Sequence, residues 1–228
     1  MKKTTTILCL GIALCMLGCS DDDDQVTTTS TVPFSLTASL SPRSSDAEDT
    51  GILQGNWDAN SQLAVIKTGS SGVPKSILTR KTDSSDTFTG NLSTLVKNEN
   101  EIAVFYPAAA ITANSSDTLT QTLNLSGQDG TLAGITNYDY LWAQCKAGMN
   151  ETTGSSACEM TSLVTIGKFQ FTVNGGSPLN NITRITITAT AGTLYSSAVM
   201  KLKNGEFSST QTGNITIKNK AGISGTTY

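Results

Sequence analysis

Histidine is absent from this chain of 228 residues. Its absence excludes Ser-His-Asp and Cys-His catalytic arrangements and any zinc site that needs an imidazole ligand. Charge is scarce as well: Asp, Glu, Lys and Arg make up 14% of the residues and leave a net charge of −3. Nucleic-acid binding needs clustered Lys and Arg to neutralise phosphates, so DNA and RNA are not expected as partners. No window sustains a helical apolar period, which leaves long amphipathic helices out of the expected fold. The apolar run Ile7 to Leu17 is too short to cross a bilayer as a helix, and a polar, Thr-rich segment follows it rather than a stop-transfer pattern.

Sites for cofactors are missing too. The stretch "TGSSGVPKS" (Thr68 to Ser76) sets a lysine near glycines, but Pro74 stands where a phosphate-binding loop needs its second glycine. It reads as a hairpin loop. The run "SDDDD" (Ser20 to Asp24) lacks the glycine turn and spaced ligands of a calcium loop and reads as a solvated charge run. Asp58, Asp83, Asp86, Asp129 and Asp139 remain for two-carboxylate glycoside chemistry. Nearly all of them stand in turn-like contexts, where Asp bonds its own backbone. No catalytic residue, metal ligand or cofactor is therefore assigned, and the chain is not expected to be an enzyme.

What is present begins with a leader. Lys2 and Lys3, the apolar run and the small residue Gly18 form a secretory signal peptide over residues 1–18. Leu17, Gly18 and Cys19 resemble the lipobox of bacterial lipoproteins, in which the cysteine becomes the lipidated mature N-terminus. Acyl chains contribute about 0.8 kcal/mol per buried CH₂, enough to hold a chain on a membrane without a spanning helix. Losing Lys2 and Lys3 with the leader takes the net charge from −3 to −5. Of the five cysteines, Cys9 and Cys15 leave with the leader and Cys19 takes the lipid, which leaves Cys145 and Cys158. In an exported protein these two are expected to pair, closing a short loop at about 3 kcal/mol in the chain-entropy account.

Residues 19–32 are mostly Asp and Thr with almost no apolar side chains and read as a tether. From residue 33 to 228 the chain becomes short alternating segments parted by Gly, Asn, Asp and Ser, the pattern of an all-β sandwich. In "PFSLTASL" the residues Phe34, Leu36, Ala38 and Leu40 alternate with polar ones, as a half-buried strand requires. Further strands are expected at Gln62–Lys67, Lys75–Arg80, Glu101–Pro107, Thr118–Leu125, Tyr138–Gln144, Leu163–Val173, Ile182–Thr190, Ser197–Leu202 and Asn214–Asn219. Thr and Ser fill outward positions where charged residues usually sit. Tyr138, Tyr140 and Trp142 would share one face of a strand, as a sugar-stacking ridge does and as a sandwich core does; Trp57 could extend either.

The order of several segments resembles the fimbrillin family, the lipoprotein pilins and pilus-associated subunits of type V pili. "NWDANSQLAVIK" (Asn56 to Lys67), "FTGNL" (Phe88 to Leu92), "EIAVFYPA" (Glu101 to Ala108) and "NYDYLWAQ" (Asn137 to Gln144) follow in family order. "LVTIGKFQFTV" and the segment Asn181 to Phe207 are similar to the paired strands that close the family's N-terminal domain. The resemblance covers most of Phe34 to Phe207 and implies a Greek-key, transthyretin-like β-sandwich. Two features depart from the family: it often carries a His near Leu163 and usually a second sandwich domain. The chain is expected to be a truncated product or a single-domain relative.

The resemblance also implies a mechanism. Fimbrillins are exported as lipoproteins, and a trypsin-like protease cuts after an Arg that follows the first strand, so that strand and lipid leave together. The open groove accepts a strand from the next subunit. Here the strand of Phe34, Leu36, Ala38 and Leu40 would be the one exchanged, Arg43 would be the cleavage site, and Arg80 is a weaker candidate. In such lipoproteins an acidic run after the cysteine resembles a signal for transfer to the outer surface. The implied partners are other fimbrial subunits, the outer membrane through the lipid anchor, and a surface receptor. The second reading of the sequence is a surface glycan-binding lipoprotein that uses the aromatic ridge.

Overall fold

The structure, a computed structural model, describes residues 30–41, 55–69, 72–84, 86–112, 120–131, 134–167 and 182–223. The fold is all-β, as expected. Its strands are β1 (Thr31–Ser39), β2 (Gln62–Lys67), β3 (Ser76–Arg80), β4 (Thr87–Ser93), β5 (Glu101–Tyr106), β6 (Thr120–Asn124) and β7 (Leu141–Lys146). They are followed by β8 (Gly148–Met149), β9 (Gly154–Glu159), β10 (Thr161–Ser162), β11 (Ile182–Ile187), β12 (Tyr195–Lys201), β13 (Phe207–Thr212) and β14 (Ile215–Ile223).

Nine strands form one sheet in the order β10-β7-β5-β2-β3-β4-β1-β9-β8. A three-stranded sheet, β13-β12-β6, and a two-stranded pair, β11-β14, complete it. The central strands β2 ("QLAVIK") and β5 ("EIAVFY") are near-continuous apolar runs, because both of their faces are covered. Leu63, Val65, Ile102 and Val104 point into one core with Phe34, Leu36, Leu78, Phe88 and Leu92. Ala64, Ile66, Ala103 and Phe105 point the other way, into a second core closed by Leu123 of β6, Met200 of β12 and Leu202. The large sheet curls around the first core far enough to bring β7 against β9, from opposite ends of the strand order.

"TGSSGVPKS" joins the antiparallel pair β2 and β3, where a hairpin loop belongs. Three expectations are corrected. The tether was expected to run to residue 32, but Thr31 and Val32 already pair with Ser93 and Leu92. The strand expected from Tyr138 starts at Leu141, because a 3-10 turn over Ile135–Asn137 captures the Tyr138 amide on the Ile135 carbonyl. The strand expected at Leu163 does not continue from β10: the Ser162 hydroxyl bonds both the amide and the carbonyl of Val164, a local alternative to the ladder. Its remainder from residue 168 lies outside the described residues. Strands β4, β8, β9, β10 and β13 were not expected as strands.

Candidate functional site

The alternation read in "PFSLTASL" places Val32, Phe34, Leu36 and Ala38 inside and Thr31, Pro33, Thr37 and Ser39 outside. Phe34 is 2% exposed and Leu36 0%. Leu40 lies just past the strand, half-buried against the same core. The strand is no edge strand. It runs antiparallel to β4 from Thr31↔Ser93 to Thr37↔Thr87, and parallel to β9 from Phe34↔Gly154 to Ser39↔Glu159. Pairing with β9 begins only after Pro33, so the residue with no amide donor sits where β1 has a neighbour on one side alone. Withdrawing β1 would bare two facing strand edges and a row of apolar pockets.

The ends of this strand are fastened to the sheet. The Thr94 amide donates to the Ser30 carbonyl (2.8 Å), the Ala38 amide to Asp86 (2.8 Å), and the Met160 amide to the Ser39 carbonyl (3.0 Å). Trp57 adds a side-chain clasp: its buried indole N–H donates to the Ala38 carbonyl at 2.6 Å. The same ring stands edge-on to Phe88 and Tyr106, with centroids 5.0 and 5.2 Å away.

Burial pushes the Tyr106 phenol up to about 12, a shift that the neighbouring Ser61 hydroxyl opposes and the Asp58 and Asp139 carboxylates reinforce. An acid whose folded pKa is raised keeps its proton while the unfolded chain loses one, so stability falls as pH rises from about 10 to about 12. The full loss is about 2–3 kcal/mol. Urea titrations between pH 9 and 12 are expected to show this slope in the parent and a flatter one in Tyr106→Phe.

Where β7 meets β9, the structure places Cys145 and Cys158 together as half-buried free thiols. The expected bridge between them is therefore not formed in this structure. The Cys158 thiol donates a hydrogen bond to Cys145, and this contact, assisted by the Ser156 hydroxyl at 3.3 Å, brings the Cys145 thiol down to about 7. Cys158, whose proton is held against its partner, is pushed up. The Met160 sulfur lies 3.9 Å from that of Cys158. Alkylation by iodoacetamide is expected to strike Cys145 first, with a rate that rises through about pH 7, and Cys158→Ala is expected to move that midpoint upward.

The aromatic residues do not form a flat exposed row. Tyr140 is buried, and its hydroxyl donates to the Asn124 carbonyl at 3.1 Å; Trp142 is half-buried against the second core with its indole nitrogen enclosed. Gly205, at φ +70°, lies so close to the Trp142 face that a Cβ there would stand 2.8 Å from the ring. Trp57 belongs to the first core.

The acids serve turns and strand ends. Asp129 accepts from the amide and hydroxyl of Thr131, Asp83 pairs with Lys81, and the Asp58 carbonyl accepts from the Ser61 amide. Asp139 is 1% exposed. Among the described residues no three His, Cys, Asp or Glu side chains gather where a metal could sit, and no helix is long and apolar enough to cross a membrane. Cys19 and Arg43 lie outside the described residues. Arg80 ends β3 in register with Phe88 of β4, inside the sheet.

What the sequence did not disclose is β9, the second wall of the β1 slot. Its inward positions are Gly154, Ser156 and Cys158, none a large apolar residue, so "GSSACE" carries no strand signal.

No family model and no curated protein sequence matches the chain. Two solved structures are similar to it. A proposed cell adhesion protein from Bacteroides ovatus is 15% identical over 87% of this chain and 77% of its own, with a TM-score of 0.52. A fimbrial assembly protein from Parabacteroides distasonis is 11% identical over 87% of this chain and 85% of its own, with a TM-score of 0.41. At such identities the first likeness is one of fold.

Proposed function

We propose that this chain is a cell-surface fimbrial or adhesive subunit, exported as a lipoprotein through Cys19, in which β1 is the strand that leaves and is replaced. The observation that carries the reading is the seating of β1. An N-terminal strand with apolar residues at every second position lies between β4 and β9 and fills the core row with Val32, Phe34, Leu36 and Ala38. Being the first strand among the described residues, it is joined to the described strands through one end only, so a single cut between residue 41 and Gly55 detaches it covalently from them while they stay joined.

Arg43 in "SPRSSDAEDT" is the trypsin-like site in that interval. Main-chain bonds on both sides and alternate side chains in pockets are the interactions by which strand addition binds. The likeness in fold to the cell adhesion protein of Bacteroides ovatus supports the same reading. The glycan-binding alternative loses its platform with the burial of Tyr140 and the enclosure of Trp142.

The test is Arg43→Ala in the producing cell. The variant is expected to remain lipid-anchored and unpolymerised, with β1 still attached. Fibres, or a mature N-terminus identical to that of the parent, would overturn the cleavage role.

A further inference from the structure

Phe34 has glycine as its cross-strand neighbour on both sides. It stands opposite Gly90 of β4 and opposite Gly154 of β9. Directly opposed residues put their side chains on the same face, so at this register neither wall contributes a Cβ; the ring of Phe34 takes the space at Gly154, while the Leu78 side chain of β3 takes that at Gly90. The fit is close. A Cβ on Gly154 would stand 2.7 Å from Phe34 Cδ2 and would also meet the Met149 sulfur, and a Cβ on Gly90 would stand 2.6 Å from the Ile77 carbonyl oxygen. Gly90 is therefore also needed for the approach of β3, whereas Gly154 makes room for the ring itself.

Four residues on, the slot is narrow. Ala38 is fully buried, opposite Cys158 of β9, with Trp57 held on its own carbonyl. Between the two, Leu36 is opposed by Phe88 on one wall and Ser156 on the other.

We propose that the slot selects its occupant by register. It takes an extended segment of a partner subunit that reads aliphatic-x-aromatic-x-aliphatic-x-small, running parallel to β9, with the aromatic side chain at the Gly90–Gly154 gap. This rests on the strand-replacement reading above and adds to it the chemistry of the partner. A flat alternating apolar strand with its bulk at another register is rejected, because the position of Leu36 has no glycine on either wall and Ala38 is fully buried opposite Cys158.

The test uses the full chain with a sequence-specific protease site inserted after Arg43, cleaved so that β1 stays seated without a covalent link. Fluorescent peptides of residues 30–41 are added in excess and uptake is followed by anisotropy. The parent peptide is expected to exchange in, while Phe34→Ala is expected to bind about 100-fold more weakly. The decisive peptide exchanges Phe34 and Leu36, keeping the composition and moving the bulk by two positions; it is expected to bind at least about 30-fold more weakly than the parent.

In the uncleaved chain, Gly154→Ala is expected to lower the thermal midpoint and Gly154→Ala with Phe34→Leu to recover part of that loss. Equal uptake of the parent and exchanged peptides, or a double variant whose losses simply add, overturns the register rule alone. Failure of the parent peptide to enter overturns strand replacement and the rule with it.

Discussion

Phe34→Ala is expected to lower the unfolding free energy by about 3–5 kcal/mol, the usual range for removing a buried phenyl group. The site offers little relief. Phe34 is opposed by two glycines whose backbones are fixed by pairing to β1, β3 and β8, so the two walls themselves supply no side chain to fill the space, which Met149 and Leu78 border. The loss therefore includes the cavity as well as the transfer of the ring. A domain of this size has about 5–15 kcal/mol in total, so the variant stands near the edge of folding at 37 °C. Urea unfolding at unchanged m-value measures it. A loss below about 1 kcal/mol would mean that β1 is not the core strand described here.

Trp57→Ala has the second large effect, also about 3–5 kcal/mol, for two separable reasons. The indole fills the first core against Phe88 and Tyr106, and its N–H is the side-chain donor to the Ala38 carbonyl. Trp57→Phe separates them: it keeps most of the ring and removes only the donor, and about 1–3 kcal/mol is expected from leaving a buried carbonyl unpaired. The functional consequence is specific to the end of β1. Amide exchange at Ala38 and Ser39 is expected to accelerate more in Trp57→Phe than exchange at Val65 or Val104, because the clasp holds the strand at the end nearest residues 42–54. Uniform acceleration across β1, β2 and β5 would show a general loss of stability instead.

Much of this slot was legible in the sequence, for reasons that show where legibility stops. The strand β1 could be read because one of its faces is buried and the other is not, so its composition alternates. β2 and β5 could be read as apolar runs because both faces are covered. β9 could not, since its inward residues are small, and its parallel pairing with β1 spans about 120 residues of chain. The two glycines that receive Phe34 stand in β4 and β9, and nothing marks them as one site until the register is known. Of the aromatic triplet, Tyr140 and Trp142 lie against one core, as the core reading expected, but a period of two holds only within a strand, and the 3-10 turn ahead of β7 breaks that period between Tyr138 and Leu141. Cys145 and Cys158 lie together as free thiols rather than as the bridge expected from an exported chain.

The thiol pair also bears on the slot. Cys158 is the β9 residue opposite Ala38, so the β9 wall beside the end of β1 also meets β7, through Cys145 and through Ser156, whose hydroxyl donates to the Lys146 carbonyl.

We propose above that β1 is a replaceable occupant of the slot between β4 and β9. Mass spectrometry of the mature N-terminus, on surface material from the producing cell separated into anchored and assembled fractions, tests it most directly. A lipidated Cys19 is expected in the anchored fraction, and chains that begin at Ser44 in the assembled one. Assembled chains that still carry residues 19–43 would contradict it.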